Sequence, residues 1–307
     1  MSVESGVMDG VLVIDKPSGP TSFDVVRRIR SLLRVKKAGH TGTLDPIATG
    51  VLPVCLNRAT KIAGFIAEGQ KAYEAVIHLG VETDTHDAAG KTLAAAPVPR
   101  LSAERLEGIL SRFRGALLQT PPMYSAVKID GKRLYELARA GEEVPRAPRP
   151  VTVYELAMRD FSASEVHLFL RCSKGFFVRV LAHDLGRALG CGAHLRSLRR
   201  TASGAFTESQ ALKLDRIMSL CSGGPAGRAE IEQHLVSIPD ALADLPAIQL
   251  SWVDALRVAR GIPVEGQAPE GRVRLLDPAG ALLAIAEIGP HHRFRYLRVF
   301  ACGGTEC

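Results

Sequence analysis

The chain has 307 residues, of which 46% are hydrophobic and 23% charged. That is enough to bury a sizeable core in one large or two ordinary domains, and it argues against global disorder. A formal charge of +7 and a pI near 9.2 favour an acidic partner, nucleic acid ahead of an anionic membrane surface.

The six cysteines form no CxxC pair, which argues against a zinc site and a secreted disulfide framework. MSVESGVMDG carries no charged-then-apolar leader, and no apolar run is long enough to span a bilayer. The expected setting is the reduced cytoplasm.

GVLVIDKP (10–17) reads as a buried strand stopped by Pro17. SFDVVRRIRSLLR follows as a helix capped by Thr21 or Ser22, with Phe23, Val26, Ile29 and Leu33 at helical spacing and arginines on the other face. After the turn-rich GHTGTLDPIATG (39–50) come an apolar stretch, GVLPVCL, and a helical one, RATKIAGFIAEG. KAYEAVIHLG (71–80) alternates as a strand, with Tyr73, Ala75, Ile77 and Leu79 on one face and Glu74, Val76 and His78 on the other. SAERLEGILSRF (102–113) reads as an amphipathic helix. YSAVKIDGKRLYELARAG reads as strand, Asp-Gly turn and helix, stopped by Gly141. VTVYELAMRD and EVHLFLRCS are two further strands, and FFVRVLAHDLGRALG places Phe177, Leu181, Leu185 and Leu189 on one helical face. SLCSGGPAGRAE (219–230), rich in Gly, Ser and Pro, is the expected linker. The last segment, from about Ile248, carries the helix SWVDALRVARG and short strands such as RVRLLD and RYLRVF.

Asp45 is the only acid between Asp24 and Glu68, an interval that also holds Arg27, Arg28, Arg30, Arg34, Lys36, Lys37, Arg58 and Lys61. An Asp in a Gly/Thr-rich loop ordinarily shapes a turn. A carboxylate kept ionised by neighbouring cations is instead a nucleophile for a sugar anomeric carbon. Most glycoside hydrolases pair two carboxylates, and no second acid lies nearby in the sequence. Residues 171–200 hold seven Lys/Arg against the single acid Asp184, which suits a phosphate-binding face or a solvated helix equally. Arg179 is either a surface arginine or a bidentate partner for a carboxylate. TDTHDAAG (83–90) fails the EF-hand order and reads as an exposed turn. A non-catalytic RNA-binding or RNA-folding protein and a small-molecule glycosidase remain as rivals at this level.

Six ordered segments resemble the bacterial tRNA pseudouridine-55 synthase (TruB) family: GVLVIDKPSGPTSFDVV, RVKKAGHTGTLDPIATGVLPVCLNRATK, KAYEAVIHLGVETDTHDAAG, PPMYSAVKIDGKRLYELARAG, SKGFFVRVLAHDLG and LGCGAHLRSLRR. The resemblance implies an α+β fold, with a mixed, largely antiparallel central sheet flanked by helices. It implies a catalytic domain over 1–247 and a small β-rich, PUA-like RNA-binding domain over 248–307. The implied reaction turns one uridine of the tRNA T-loop into pseudouridine, by breaking N1–C1′ and rejoining the base through C5 on a flipped-out nucleotide. No cofactor and no metal is implied, the expected partner is the T-loop and stem of tRNA, and the enzyme is expected to be a monomer. A tRNA-folding role beside catalysis is compatible with the same surface.

Asp45 falls at the family's catalytic aspartate, Tyr73 at the tyrosine that stacks on the flipped uracil, and Arg179 at the arginine that pairs with the aspartate. His40 matches a histidine near the vacated base position, Leu198 an apolar residue of the uracil pocket, and Lys16 with Pro17 the Lys-Pro motif. The family commonly reads Gly-Thr-Tyr-Ile-Arg where this chain has GFFVR, so Phe177 keeps a ring and lacks the hydroxyl. Segment 124–149, with Lys128, Lys132, Arg133, Arg139, Arg146 and Arg149, is expected to close over bound RNA.

Overall fold

A computed structural model describes residues 8–264, 270–289 and 294–300. The leader reading of MSVESGVMDG falls mostly on 1–7, outside the described residues. One ten-stranded sheet organises the chain, in the order Leu212–Lys213, Gly10–Lys16, Thr49–Leu56, Ala193–Ser203, Lys71–Leu79, Glu165–Cys172, Arg149–Phe161, Gly115–Gln119. Ala38–His40 adds to Thr49–Leu56, and Phe206–Thr207 to Ala193–Ser203. Among the described residues, only two strand pairings within this sheet are parallel, Gly10–Lys16 with Leu212–Lys213 and Thr49–Leu56 with Ala193–Ser203. The sheet is therefore mixed and largely antiparallel, and the expected α+β class holds.

Strand alternation decides which face each side chain meets. Leu12 and Ile14 join Ala75, Ile77 and Leu79 in a core with the helices Ser22–Leu33 and Val178–Leu189. Val11, Val13, Val51 and Cys55 point the other way and pack with Leu242, Leu282, Ile285 and Phe300. A second sheet of four strands, Ala247–Gln249, Gly271–Leu276, Leu282–Ile288 and Phe294–Val299, thus sits against the back of the first. Its other side has a small core of its own, around Val258, Val273, Leu275 and Ala286. Among the described residues no helix is long and apolar enough to cross a membrane.

Two expectations fail here. In the helix Ser22–Leu33 the buried positions are Ser22, Val25, Val26, Ile29 and Leu33, while Phe23 is 69% exposed. The inward place is taken by Ser22, whose hydroxyl accepts from Leu44 N (2.8 Å) and donates to Leu44 O (3.0 Å). The expected linker 219–230 is helical, divided between Leu214–Ser222 and Gly224–Gln233. Two of its glycines have distinct uses: a Cβ on Gly227 would lie 1.9 Å from Leu220 O, while Gly224 takes a positive φ of 67° at the start of the second helix. The Gly/Pro composition marks a tight helix–helix corner, with Pro in the first turn of the second helix.

Candidate active site

The loop carrying Asp45 is held by what surrounds its backbone. Lys16, fully buried, donates from Nζ to Pro17 O (2.9 Å), Pro46 O (3.3 Å) and Ala48 O (2.7 Å). Arg200, 1% exposed, donates to Val51 O (2.7 Å), Gly42 O (3.1 Å) and Thr43 O (3.5 Å). Gly19 N donates to Pro46 O at 2.8 Å. Buried carbonyls need such donors, and here two cations supply most of them. These donors tie the loop's carbonyls to the sheet and fix where Asp45 stands.

Arg179 enters from the first turn of Val178–Leu189. That helix lies close against the strand Ala193–Ser203, because a Cβ on Gly186 would stand 2.1 Å from Ala193 N. The guanidinium grips Asp45 with two nitrogens, Nε to Oδ2 at 2.8 Å and Nη2 to Oδ1 at 3.2 Å. It also donates to Thr85 O (3.1 Å) and Tyr124 O (2.8 Å), and Asp87 Oδ2 lies 3.8 Å from Nε. Asp87 is oriented in turn, its Oδ1 accepting from Thr85 Oγ1 (2.7 Å) and Ala89 N (3.0 Å). The expectation of an exposed turn over 83–90 is therefore overturned: Asp87 is buried and backs Arg179. The second carboxylate that the neighbourhood of Asp45 lacks in sequence comes from this segment.

Asp45, Tyr73, Phe177, Arg179 and Leu198 line one cavity of about 350 Å³. Lys71 and Arg200 line it too. Tyr73 stands opposite Arg200 across the strand pairing, and Leu198 opposite Ala75. Burial pushes the Tyr73 phenol up to about 12, with Arg200 opposing, so it stays neutral near pH 7. For Asp45, burial raises the carboxyl above the usual aspartate range and Arg179 pulls it back, while the charge on Asp87 raises it further. One-third of the Asp45 side chain still faces the cavity mouth.

The structure brings some expected residues together and leaves others outside. Lys16 is buried and does not line the cavity; burial lowers its ammonium to about 8, with Asp45 opposing. Pro17 is exposed, its carbonyl accepting from Lys16. His40 is half-buried beside the loop, its Nδ1 without a hydrogen-bond partner, and burial lowers its pKa. Phe177 is held by its backbone: Gln119 Oε1 accepts from Phe177 N (2.8 Å) and Gln119 Nε2 donates to Phe177 O (3.1 Å). The basic run 171–200 is not one phosphate-binding face, since Arg179 and Arg200 are both internal.

Residues 30–178 match the N-terminal domain of the TruB family of pseudouridylate synthases, and residues 179–238 the C-terminal domain of tRNA pseudouridylate synthase B. The tRNA pseudouridine synthase B of Geobacter sulfurreducens is 46% identical, over 91% of this chain and 93% of its own. That of Stutzerimonas stutzeri is 43% identical over 93% of both chains. The chain belongs to the TruB family. A crystal structure of a Cbf5-Nop10-Gar1 complex superposes with a TM-score of 0.75 at 25% identity, covering 97% of this chain and 87% of that one. This TruB-family enzyme thus has the pseudouridine synthase fold, and three groups of its site were not singled out by the sequence: Asp87 behind Arg179, and Lys71 and Arg200 in the cavity wall. For Arg200 a signal was available: it lies two residues past Leu198 on one strand, and hence on the same face.

Proposed function

We propose that this enzyme isomerises uridine 55 in the T-loop of tRNA to pseudouridine, with Asp45 as nucleophile on a flipped-out nucleotide. One observation carries the reading: a carboxylate gripped through both oxygens by Arg179 faces Tyr73 across a single cavity. Bidentate pairing orients Asp45 and favours its ionised form, and burial makes that form reactive. Extruding the base costs a few kcal/mol. Stacking on Tyr73 and Phe177 returns about 1–3 kcal/mol per base. The reaction is an isomerisation with no net redox, so its chemistry calls for no cofactor.

In this reading Leu198 walls the uracil pocket and Phe177 contributes its ring and its Gln119-fixed backbone. Lys16 and Pro17 brace the Asp45 loop, and His40 flanks the space the base leaves. Segment 124–149 closes over RNA, hinged where Tyr124 O meets Arg179. Residues 1–247 form the catalytic domain and 248–307 a PUA-like RNA-binding domain. The enzyme works as a cytoplasmic monomer on the T-loop and stem.

The test is to map modified uridines in one tRNA transcript after incubation with purified protein and no additives. A single pseudouridine at position 55 is expected, abolished by Asp45→Asn with tRNA affinity kept within a few-fold. Turnover by the Asn variant would refute the nucleophile.

A further inference from the structure

Every route from uridine to pseudouridine breaks N1–C1′, and the electron pair of that bond leaves with the base. Whether Asp45 adds to C1′ or takes the C2′ proton, the detached uracil carries negative charge spread over N1, O2 and O4. The charge on Asp45 is consumed in the same step. Negative charge therefore crosses the cavity from the sugar side to the base side. A preorganised site holds a cation at both places.

Arg179 serves the first. At the second, beside the Tyr73 ring, stand Lys71 and Arg200. Lys71 lies two residues before Tyr73 on the same strand face, and Arg200 pairs opposite Tyr73. Both are buried, Lys71 at 6% and Arg200 at 1% exposure. The other cations lining the cavity are matched, Arg179 by Asp45 and Asp87 and Lys174 by Glu68. Among the described residues neither Lys71 nor Arg200 has a carboxylate within ion-pair distance. Arg200 spends its donors on the loop carbonyls and Tyr73. Lys71 donates to Ala67 O and to Gly69 O (2.5 Å), which leaves one of three N–H bonds uncommitted.

We infer that Lys71 is a catalytic residue, donating its remaining N–H to a carbonyl oxygen of uracil as N1–C1′ breaks, with Arg200 supplying a second positive charge. The inference rests on the assignment of this cavity to pseudouridine formation. Lys71 keeps its proton throughout. The Asp45 oxygen supplies the pair for the new bond to C1′, or accepts the C2′ proton, and the N1–C1′ pair stays on the base. As C5 bonds to C1′, the C1′–O bond to Asp45 breaks with its pair returning to the carboxylate, or on the elimination route Asp45 returns its proton to C2′. The freed carboxylate then takes the C5 proton and N1 gains one, so nothing is oxidised or reduced.

Burial lowers the Lys71 ammonium to about 8, Arg200 and Lys174 acting in the same direction and Cys172 and Glu68 against it. The role needs the charged form, so activity falls as pH rises through that value. Arginine at this position stays charged.

The experiment is single-turnover pseudouridine formation on a tRNA transcript, as a function of pH, by wild type, Lys71→Met, Lys71→Gln and Lys71→Arg. Tight tRNA binding, within threefold of wild type, serves as the check of folding. Met and Gln are expected to slow the reaction about 100-fold or more at pH 7. Arg is expected to recover it to within about tenfold and to move the alkaline fall upward by at least one pH unit. A Met or Gln variant within threefold of wild type overturns the inference. So does an Arg variant as slow as Met, or an alkaline fall that stays in place, since Lys16, also lowered to about 8, is present in all four proteins. Wild type that forms no pseudouridine refutes the function itself.

Discussion

Asp45 is pulled two ways, by burial and the Asp87 charge toward its protonated form and by Arg179 toward its ionised form. Catalysis as proposed needs the carboxylate, so activity rises with pH through a pKa above the ordinary aspartate value. Asp87→Asn removes a like charge and must lower that pKa. The acid limb of the single-turnover rate should therefore move to lower pH, even where the plateau drops because Arg179 is less well held; a limb that moves up contradicts this electrostatic account. Phe177 yields a second expectation. Its contacts to Gln119 run through its backbone, so Phe177→Tyr should change the rate less than threefold. Gln119→Leu leaves Phe177 N unpaired, while Phe177 O still accepts from Val180 N and Leu181 N, and should cost about 1–3 kcal/mol of stability, read by denaturant unfolding.

At the scale of elements, the position of Arg179 depends on how closely its helix approaches the sheet. Gly186→Ala forces a Cβ into Ala193 N, for which about 1–3 kcal/mol of destabilisation is expected. The pseudouridine formation rate should fall while tRNA affinity holds, and an unchanged rate with lost affinity would point to a different use of this helix. Period-two and helical patterns made most elements legible, the strand Lys71–Leu79 above all, because burial on one face leaves its mark locally. Segment 219–230 was misread because glycine for close packing and glycine for a loop look alike until the neighbour is known. Asp45 stood out as a lone acid among bases. Asp87 did not, since a Thr/Asp-rich turn bears no trace of a distant arginine.

For the whole molecule, the two sheets share an apolar seam, Leu282, Ile285 and Phe300 against Val11, Val13 and Val51. A chain ending at 247 bares that seam, at about 1.5–3 kcal/mol per large side chain. It should melt lower and bind hydrophobic dye, and a truncated protein with unchanged melting would mean the seam contributes little. The net charge of +7 sets a further expectation: tRNA affinity should fall steeply as salt rises, measured by filter binding. Finally, Arg179 bonds at once to the carboxylate of Asp45 and to the backbone of Tyr124. Coupling between two partners of one group is reciprocal. Under the proposed mechanism, whatever shifts the Tyr124 carbonyl retunes Asp45, and whatever neutralises Asp45 loosens segment 124–149, so that gripping the substrate and arming the reaction would be one event.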